Sequence, residues 1–289
     1  MIKKTPPILT SETAKKLLNG KNYVSLDLGL TKVEVSQTNT RYWLNEGEYI
    51  DQKDLLKIVE DNRSIYFVLN KKIYIIAISG KHFYKLVRTD GVPTLEIDGI
   101  RMHRTKDTTP EKDATKKLEI LDLENGVVLD TCMGLGYTAI KAHENGADYV
   151  ISLEYESSVI RIAQLNPWSL KLFTEEKIHK IIGDSFYILD GLPKDHFNYI
   201  IHDPPRHSSA GHLYGLDFYK KLFRVIKPGG KLFHYIGEPR SRYRGVNIRR
   251  GVTERLTVAG FTNVEYYPDV MGVICLRPLP FNLNLNDSI

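Results

Sequence analysis

Residues 127–142 read VVLDTCMGLGYTAIKA and contain the start of an α/β fold. The apolar residues 127–129 predict a buried parallel strand, and the turn that follows holds two glycines. A helical period then runs over residues 138–145 and ends at Gly146, which suits a helix C-terminus. A second apolar strand, residues 149–153, ends at Glu154. Strand, glycine turn, helix, strand and acid in this order are typical of the first half of a nucleotide-binding α/β unit.

The glycine turn also indicates which ligand this unit binds. Gly134-x-Gly136-x-x-Ala139 fits the dinucleotide fingerprint, with Glu154 standing 20 residues after Gly134. Asp130 lies at the strand end, inside the ligand crevice of such a fold. A carboxylate there repels a pyrophosphate and attracts an ammonium group, because charges interact strongly in a partly dry site. S-adenosylmethionine (SAM) carries an ammonium and a ribose but no phosphate, so the sequence favours SAM over NAD as the cofactor.

The composition is that of a globular chain. The 289 residues are 42% hydrophobic and 26% charged, and no apolar stretch is long enough to cross a membrane. The first residues, MIKKTPP, show no signal peptide. Cys132 and Cys275 form no disulfide framework or metal pattern and are expected to be buried free thiols, which predicts a reducing, cytoplasmic setting. The net charge of +5 permits nucleic-acid binding without requiring it.

Two domains are expected. Residues 1–104 show short alternating segments separated by turn residues and predict a small β-rich domain, in which residues 65–69 and 73–78 form one hairpin. Residues 105–289 carry the chemistry. The basic and aromatic residues of the first domain suit an RNA-binding face, although an aromatic core with solvated lysines explains the same composition. These residues are Arg41, Tyr42, Trp43, Lys71, Lys72, Lys81, His82, Tyr84, Lys85 and Arg88.

The junction between the two domains contains further candidates for ligand contact. Met102, His103 and Thr109 lie just upstream of a predicted helix over residues 111–121. Because this segment leads directly into the first strand of the sheet, it is placed beside the cofactor crevice. A plain linker explains the same residues equally well.

Four acidic residues mark the ends of predicted strands in the second domain: Asp130, Glu154, Asp184 and Asp203. Because the carboxyl ends of parallel strands meet at one edge of a sheet, these carboxylates are expected along one edge. Further along the chain, residues 222–230 are predicted to end a helix and turn into a strand over 231–236. Two final strands, over 264–267 and 273–276, complete the sheet.

Residues 100–277 resemble a class I SAM-dependent methyltransferase. The resemblance rests on Asp130-x-x-x-Gly134-x-Gly136, the strand-end Glu154, GDS at 183–185, DPPR at 203–206 and IKPGGKLF at 226–233. It implies a Rossmann-like, seven-stranded sheet with an antiparallel final hairpin. It also implies that Asp130 and the glycines hold the methionine moiety, Glu154 the ribose and Asp184 the adenine. The cofactor-binding residues it implies are Asp130, Thr131, Met133, Gly134, Gly136, Tyr137, Glu154, Tyr155, Asp184, Ser185 and Phe186.

The sequence Asp203-Pro204-Pro205 resembles the start of the (Asn/Asp)-Pro-Pro-(aromatic) motif of methyltransferases that act on exocyclic amines of nucleobases. The nitrogen of an aryl amine is a poor nucleophile, because its lone pair is delocalised into the ring. Asp203 and the carbonyl of Pro204 can accept its two N–H bonds and return electron density to the nitrogen. The two prolines fix the backbone so that this carbonyl keeps its direction.

Arg206 departs from this motif, in which the fourth residue is aromatic. A guanidinium plane also stacks on bases, and His207, His212 or Tyr214 are alternative sources of the ring. The departure affects base recognition more than catalysis. His202, His207 and His212 do not predict a metal site, because a Pro-Pro turn interrupts them and no carboxylate partner is obvious.

Residues 240–250, RSRYRGVNIRR, hold five arginines and no acid. They follow the fifth predicted strand, in a loop that opens on the crevice side. Guanidinium groups interleaved with Tyr243 suit contacts to phosphates and bases. A loop that is only solvated would give no reason to prefer arginine over lysine. The predicted RNA-contacting residues are Arg206, His207, Arg240, Arg242, Tyr243, Arg244, Arg249 and Arg250.

These features predict a SAM-dependent methyltransferase acting on an exocyclic amine of an RNA base, with residues 203–206 at the reaction centre. The whole chain resembles a little-annotated archaeal methyltransferase group, within which N4-methylation of cytidine in rRNA is the favoured activity; tRNA stays open. One alternative is a small-molecule methyl- or aminopropyltransferase on the same fold, although the arginines would repel a polycationic acceptor. Another is a non-catalytic SAM- and RNA-binding module, against which the intact Asp203-Pro-Pro sequence argues.

Overall fold

The structure is a computed structural model and describes residues 6–205, 210–237 and 248–280. The chain divides into two compact units. The first comprises Met1–Asp113, Gly134–Tyr137 and Glu156–Glu175. The second comprises Ala114–Met133, Thr138–Tyr155 and Glu176–Ile289. No helix in the described ranges combines the length and hydropathy that a membrane crossing needs.

Helices and strands mostly alternate in the second half of the chain, whereas short strands predominate in the first. Thr10 caps the first of them, since its hydroxyl accepts a hydrogen bond from the Thr13 amide. The helices are α1 Ser11–Leu18, α2 Gln52–Glu60, α3 Pro110–Leu121, α4 Tyr137–Glu144, α5 Ser157–Leu165, α6 Leu170–Thr174, α7 Ser185–Gly191, α8 Leu216–Val225 and α9 Ile248–Ala259.

The strands of the described residues fall into two groups, twelve short ones before α3 and seven after it. The first group is β1 Ile8–Leu9, β2 Tyr23–Val24, β3 Val33–Glu34, β4 Ser36–Thr38, β5 Arg41–Trp43, β6 Tyr49–Asp51, β7 Tyr66–Leu69, β8 Lys72–Ile75, β9 Ala77–Ser79, β10 Phe83–Val87, β11 Thr94–Ile97 and β12 Ile100–Arg101. The second group is β13 Val127–Asp130, β14 Tyr149–Glu154, β15 Ile178–Ile182, β16 Phe197–His202, β17 Ile226–Tyr235, β18 Thr262–Tyr267 and β19 Gly272–Leu276.

The first unit is rich in small antiparallel sheets. Their strand orders are β1-β7-β8, β12-β11-β10-β9, β4-β5-β6 and the pair β2-β3. One core of this unit collects apolar side chains of α1, α2 and β7, including Leu17, Leu55 and Val68. Tyr42 and Tyr84 are buried, at 5% and 1% exposure, so these two belong to the interior and not to an RNA-binding face.

The prediction of one strand over residues 73–78 was wrong. The structure divides this stretch into β8, which pairs with β7, and β9, which pairs with β10. Ile76 lies between them, fully buried, and its amide donates to the carbonyl of Ile65. The chain changes sheets at this residue, because burying Ile76 directs the next residues toward a different partner strand. Period-two alternation continues through such a change and does not reveal it.

The second unit contains a seven-stranded sheet in the order β15-β14-β13-β16-β17-β19-β18. Neighbouring strands from β15 to β17 run parallel, whereas β19 is antiparallel to both β17 and β18. This confirms the predicted seven-stranded sheet with an antiparallel final hairpin. On one face, Phe218 and Leu222 of α8 and Leu256 of α9 join a core with the strand residues Ile200 and Leu232.

The entry into β17 differs from the prediction. Helix α8 ends at Val225, and the strand begins at Ile226 rather than at Lys231. Phe197 pairs with Ile226 while Tyr199 pairs with Lys231, so the intervening residues bulge out of the ladder. Gly230 permits the bulge, because a Cβ there would lie 2.6 Å from the Ile226 side chain and 2.9 Å from the Asn198 carbonyl oxygen.

Candidate active site

The four strand-end acids lie on four neighbouring strands of the sheet. Glu154 and Asp130 are the last residues of β14 and β13, Asp203 directly follows β16, and Asp184 follows β15 by two residues. Since these strands are parallel, all four positions are at the carboxyl edge, where ligands of open α/β sheets bind. The prediction that the acids share one edge is therefore confirmed.

Asp130 is fully buried and holds the turn that follows its strand. Its carboxylate accepts hydrogen bonds from the Ser152 hydroxyl at 2.8 Å and, at 3.4 Å, from the Thr138 hydroxyl and the Cys132 amide. Burial, the largest cause, and the negative charge of Asp203 together raise the pKa of Asp130 to about 6, against the lowering effect of its hydrogen bonds. The carboxyl group therefore titrates near neutral pH.

The raised pKa of Asp130 predicts a pH-dependent stability. The folded protein holds this proton more tightly than the unfolded chain, so the stabilisation is fully present below about pH 4 and is lost as the pH rises to about 6. A shift of this size corresponds to roughly 3 kcal/mol. Asn at position 130 has no proton to lose. We therefore expect the Asp130→Asn protein to gain about that much free energy of unfolding relative to wild type between about pH 4 and about pH 7. Denaturant unfolding of both proteins across this range measures the difference, and a pH-independent difference would contradict the assignment.

Asp203 is paired with a lysine that the sequence did not suggest. The ammonium of Lys117 lies 2.6 Å from Oδ2 of Asp203, with side-chain exposures of 6% and 23%. The same ammonium lies over the rings of Tyr235 and Phe233, 5.3 and 5.8 Å from their centroids. A signal did exist: Lys117 has the helical spacing of the buried residues of α3, three after Ala114 and four before Leu121.

A buried hydrogen-bonded histidine supports the backbone around Asp203. Nε2 of His202 donates to the carbonyl of Leu213 at 3.0 Å, so its Nδ1 is the acceptor of the Thr131 hydroxyl at 2.7 Å. Burial lowers the pKa of His202 to about 3, which keeps the ring neutral. Nearby, the hydroxyl of Tyr214 donates to the carbonyl of Pro205 at 3.0 Å and holds the Pro-Pro turn.

A second buried histidine extends this arrangement. His234 stands next to His202, with ring centroids 4.4 Å apart. Its Nδ1 donates to the carbonyl of His202 at 3.4 Å, and its Nε2 accepts from the hydroxyl of Tyr219 at 2.9 Å. Burial lowers the pKa of His234 well below its usual value. The turn at Asp203 thus rests on a neutral, hydrogen-bonded layer that holds its geometry without adding charge.

Asp184 caps α7 and faces a histidine. Its Oδ1 accepts from the amide of Phe186 at 2.8 Å, and its Oδ2 lies 3.5 Å from Nε2 of His212. The ring of Phe186 meets His212 edge-on at 6.1 Å, while the ammonium of Lys221 lies 4.1 Å from the Phe186 centroid. His212, which sequence reasoning offered as a base-stacking ring, therefore lies beside the residues implied for adenine.

The other cofactor candidates of the second unit differ in accessibility. Thr131, Met133 and Ser185 are buried, whereas Glu154 is half-buried and Tyr155 is 62% exposed. The amide of Met133 donates to the carbonyl of Leu153 at 2.7 Å, which ties the turn to the neighbouring strand. Among the described residues at these strand ends, the charged side chains are acids, and such a set suits an ammonium or hydroxyl group and opposes a phosphate. This chemistry suits the ammonium and ribose of a SAM-like ligand.

Gly134, Gly136 and Tyr137 belong to the first unit. The two glycines have φ of +54° and +78°, in the region that favours glycine. Tyr137 is buried, and its hydroxyl donates to the carbonyl of Pro93 at 2.7 Å, so its side chain serves packing. His103, one of the junction candidates, lies beside the turn: its Nε2 is 3.9 Å from the place of a Cβ on Gly134.

The arginine stretch is only partly described. Arg249 and Arg250 begin α9, where the guanidinium of Arg249 lies 4.5 Å from the centroid of Tyr266 and Arg250 pairs with Glu254 at 2.7 Å. Both arginines thus have partners within the chain. The predicted RNA-contacting residues outside the described ranges are Arg206, His207, Arg240, Arg242, Tyr243 and Arg244.

Two solved structures share the fold of this chain. The spermidine synthase from Thermotoga maritima is 18% identical, with a TM-score of 0.51, over 74% of this chain and 74% of that one. MnmC2 from Aquifex aeolicus is also 18% identical, with a TM-score of 0.50, over 70% of this chain and 72% of that one. The chain has the Rossmann-like fold of class I SAM-dependent methyltransferases, and at these identities the likeness shows the fold alone.

A relative with much higher identity defines the family. The uncharacterized protein MJ1233 of Methanocaldococcus jannaschii is 42% identical over 278 residues, which are 93% of this chain and 95% of that protein. The chain belongs to the family of that protein. No family model matches the sequence.

Proposed function

We propose that this protein is a SAM-dependent methyltransferase that acts on an exocyclic amine of an RNA base, most specifically N4 of cytidine in rRNA. The observation that carries the proposal is the position of the Asp203-Pro-Pro turn. It follows β16 directly, next to the strand that ends in Asp130, at the carboxyl edge of the sheet. An amine acceptor at this turn is adjacent to the strand ends that suit SAM.

The residues of the turn suit the activation of an aryl amine. The Asp203 carboxylate and the Pro204 carbonyl each accept one N–H of the amine, which returns electron density to its nitrogen. The Tyr214 hydroxyl holds the carbonyl of Pro205, so the turn is set before the substrate arrives. The proton that the amine loses passes to water. When bound, SAM supplies an electrophilic methyl group.

The strand-end acids of the second unit are proposed cofactor residues, and so, considered separately, are the glycines of the turn in the first unit. Glu154 would receive the ribose hydroxyls and Asp184 the adenine amino group. Phe186 lies beside Asp184. Asp130 holds the turn and adds negative charge for the ammonium of the methionine moiety. The positive φ of Gly134 and Gly136 lets the backbone approach a ligand without a Cβ in the way.

The proposal that RNA is the substrate rests on the positive charge of residues 240–250. The stretch 240–250 brings five arginines without an acid, and guanidinium groups form paired hydrogen bonds to phosphate. Arg249 and Arg250 lie at the start of α9, and the exposed Arg250 is 77% accessible at its side chain. A nucleic acid suits this stretch better than a cationic small molecule does.

Transfer of labelled methyl from SAM tests the proposal. The acceptors are separated rRNA, tRNA, protein and small-molecule fractions from source cells that lack this protein, so that the target is unmodified. We expect label in rRNA, at cytidine after digestion, and none with the Asp203→Ala protein. Label in tRNA alone would identify tRNA, and not rRNA, as the substrate. Label only among small molecules would overturn the RNA assignment, and label in no fraction would favour a non-catalytic binding module.

A further inference from the structure

Lys117 lies where an amine substrate would be received. It is the buried lysine of α3, on the same helix face as Ala114, Leu118 and Leu121, and it ends at the carboxylate of Asp203. A buried lysine is unusual unless it is paired. The aromatic faces of Tyr235 and Phe233 hold the ammonium from the other side. Its position is therefore fixed by an ion pair and two cation–π contacts.

The charge of this lysine changes what Asp203 can attract. A lone carboxylate at a substrate site draws in protonated aliphatic amines, which are cations at neutral pH. With an ammonium 2.6 Å away, the pair presents little net charge, and an incoming cation meets a like charge at close range. An aryl amine of a nucleobase is neutral and is not repelled.

Asp203 can still accept a hydrogen bond while it is paired. An ionised carboxylate has two oxygens with about four acceptor positions, and Lys117 is bonded to Oδ2. A neutral amine therefore has acceptor positions available without displacing the lysine. A cationic amine could use the same positions, but it would also meet the repulsion of the Lys117 ammonium at close range.

We propose that Lys117 is a specificity-determining residue: paired with Asp203, it admits neutral aromatic amines and excludes protonated aliphatic amines from the acceptor site. The inference rests on the proposed function, since it assigns Asp203 to the acceptor. This specificity would distinguish the chain from transferases of the same fold whose acceptors are polyamines. Lys117 acts through Asp203 and need not touch the reacting atoms.

Binding of 1,4-diaminobutane, measured by calorimetry on SAM-saturated protein, tests the inference. Wild type is expected to show no saturable binding at millimolar concentration. Lys117→Gln removes the ammonium that pairs with Asp203, and this variant is expected to bind the diamine saturably, with a Kd at least about tenfold below the lower limit set for wild type. The double variant Lys117→Gln/Asp203→Asn should lose that binding. Should Lys117→Gln fail to fold, Lys117→Met keeps the length of the side chain and carries the same test.

Two control variants accompany this measurement. Lys117→Arg keeps the positive charge and should exclude the diamine, as wild type does. Lys116→Gln removes a neighbouring, exposed lysine that pairs with Glu119, and it should also behave as wild type. A merely structural ion pair would alter stability without creating diamine binding, so unchanged binding in Lys117→Gln overturns the inference. Because the titration needs no RNA, a failure of RNA methylation would be recognised separately.

Discussion

Replacing Asp203 with asparagine is expected to reduce methyl transfer to RNA by roughly 10²–10³-fold while SAM still binds. The amide keeps the size of the carboxylate but removes the negative charge that accepts the amine N–H. It also weakens the contact with Lys117, whose ammonium is bonded to Oδ2 in the wild-type protein. Single-turnover methyl transfer and calorimetric SAM binding on the same preparation separate loss of catalysis from loss of the cofactor.

Two further variants make this result interpretable. Asp217→Asn removes an exposed acid from the first turn of α8 and is expected to leave methyl transfer unchanged. Because Asp203→Asn leaves the charge of Lys117 without its partner, some stability is lost, up to about 3–5 kcal/mol for a fully buried pair and less here, where Asp203 is partly exposed. The double variant Lys117→Met/Asp203→Asn removes both charges and should recover stability but not activity. An Asp203→Asn enzyme with near wild-type turnover would exclude Asp203 as the amine acceptor.

The sheet could be predicted from the sequence because its signals are local. Buried parallel strands are short apolar runs, and those at residues 127–129 and 149–153 are bounded by turn residues and acids. Once the strands are placed, the edge that holds Asp130 and Asp203 follows from the rule that parallel strands share their carboxyl ends. The seven strands and the antiparallel final hairpin were implied by the family resemblance, and the structure confirms both.

The contacts that hold the site residues in place could not be predicted, because they join residues that are far apart in the chain. Lys117 and Asp203 are 86 residues apart, and Thr131 and His202 are 71 apart. Neither pair leaves a trace in local periodicity. The spacing of Lys117 on α3 indicates only that it faces inward. That Lys117 pairs with Asp203 is known only once β16 has been placed in the sheet.

The change of sheets at Ile76 and the bulge before Lys231 have a similar origin. Each depends on which backbone groups are available on a neighbouring strand, such as the Ile65 carbonyl that receives the Ile76 amide. Residue types alone predict a continuous apolar strand around Ile76 and a Pro-Gly-Gly turn before Lys231. The position of the arginine stretch and the RNA assignment remain predictions.

The glycine turn yields the largest expected effect on stability. Gly136→Ala should lower the free energy of unfolding by roughly 2–5 kcal/mol, from about 1–2 kcal/mol for an L-residue at positive φ and about 1–3 kcal/mol for overpacking. The added Cβ would lie 2.6 Å from Cδ2 and 2.9 Å from Cδ1 of Leu172. Leu172 is fully buried on α6, so it has little room to turn away. Denaturant unfolding measures the loss.

Two other glycines separate backbone strain from the clash. Gly146 has φ of +101° with nothing within 4 Å of its added Cβ, and Gly134 has φ of +54° with only His103 at 3.9 Å. Alanine at either position should cost only the backbone strain, about 1–2 kcal/mol. If Leu172 causes the excess at Gly136, then Gly136→Ala should cost less in a Leu172→Ala background, and equal costs in both backgrounds would assign the loss to the backbone alone. Gly134→Ala then serves a second purpose: because it is mild for folding, a large loss of SAM affinity in that variant would mean that the ligand itself needs the space beside Gly134.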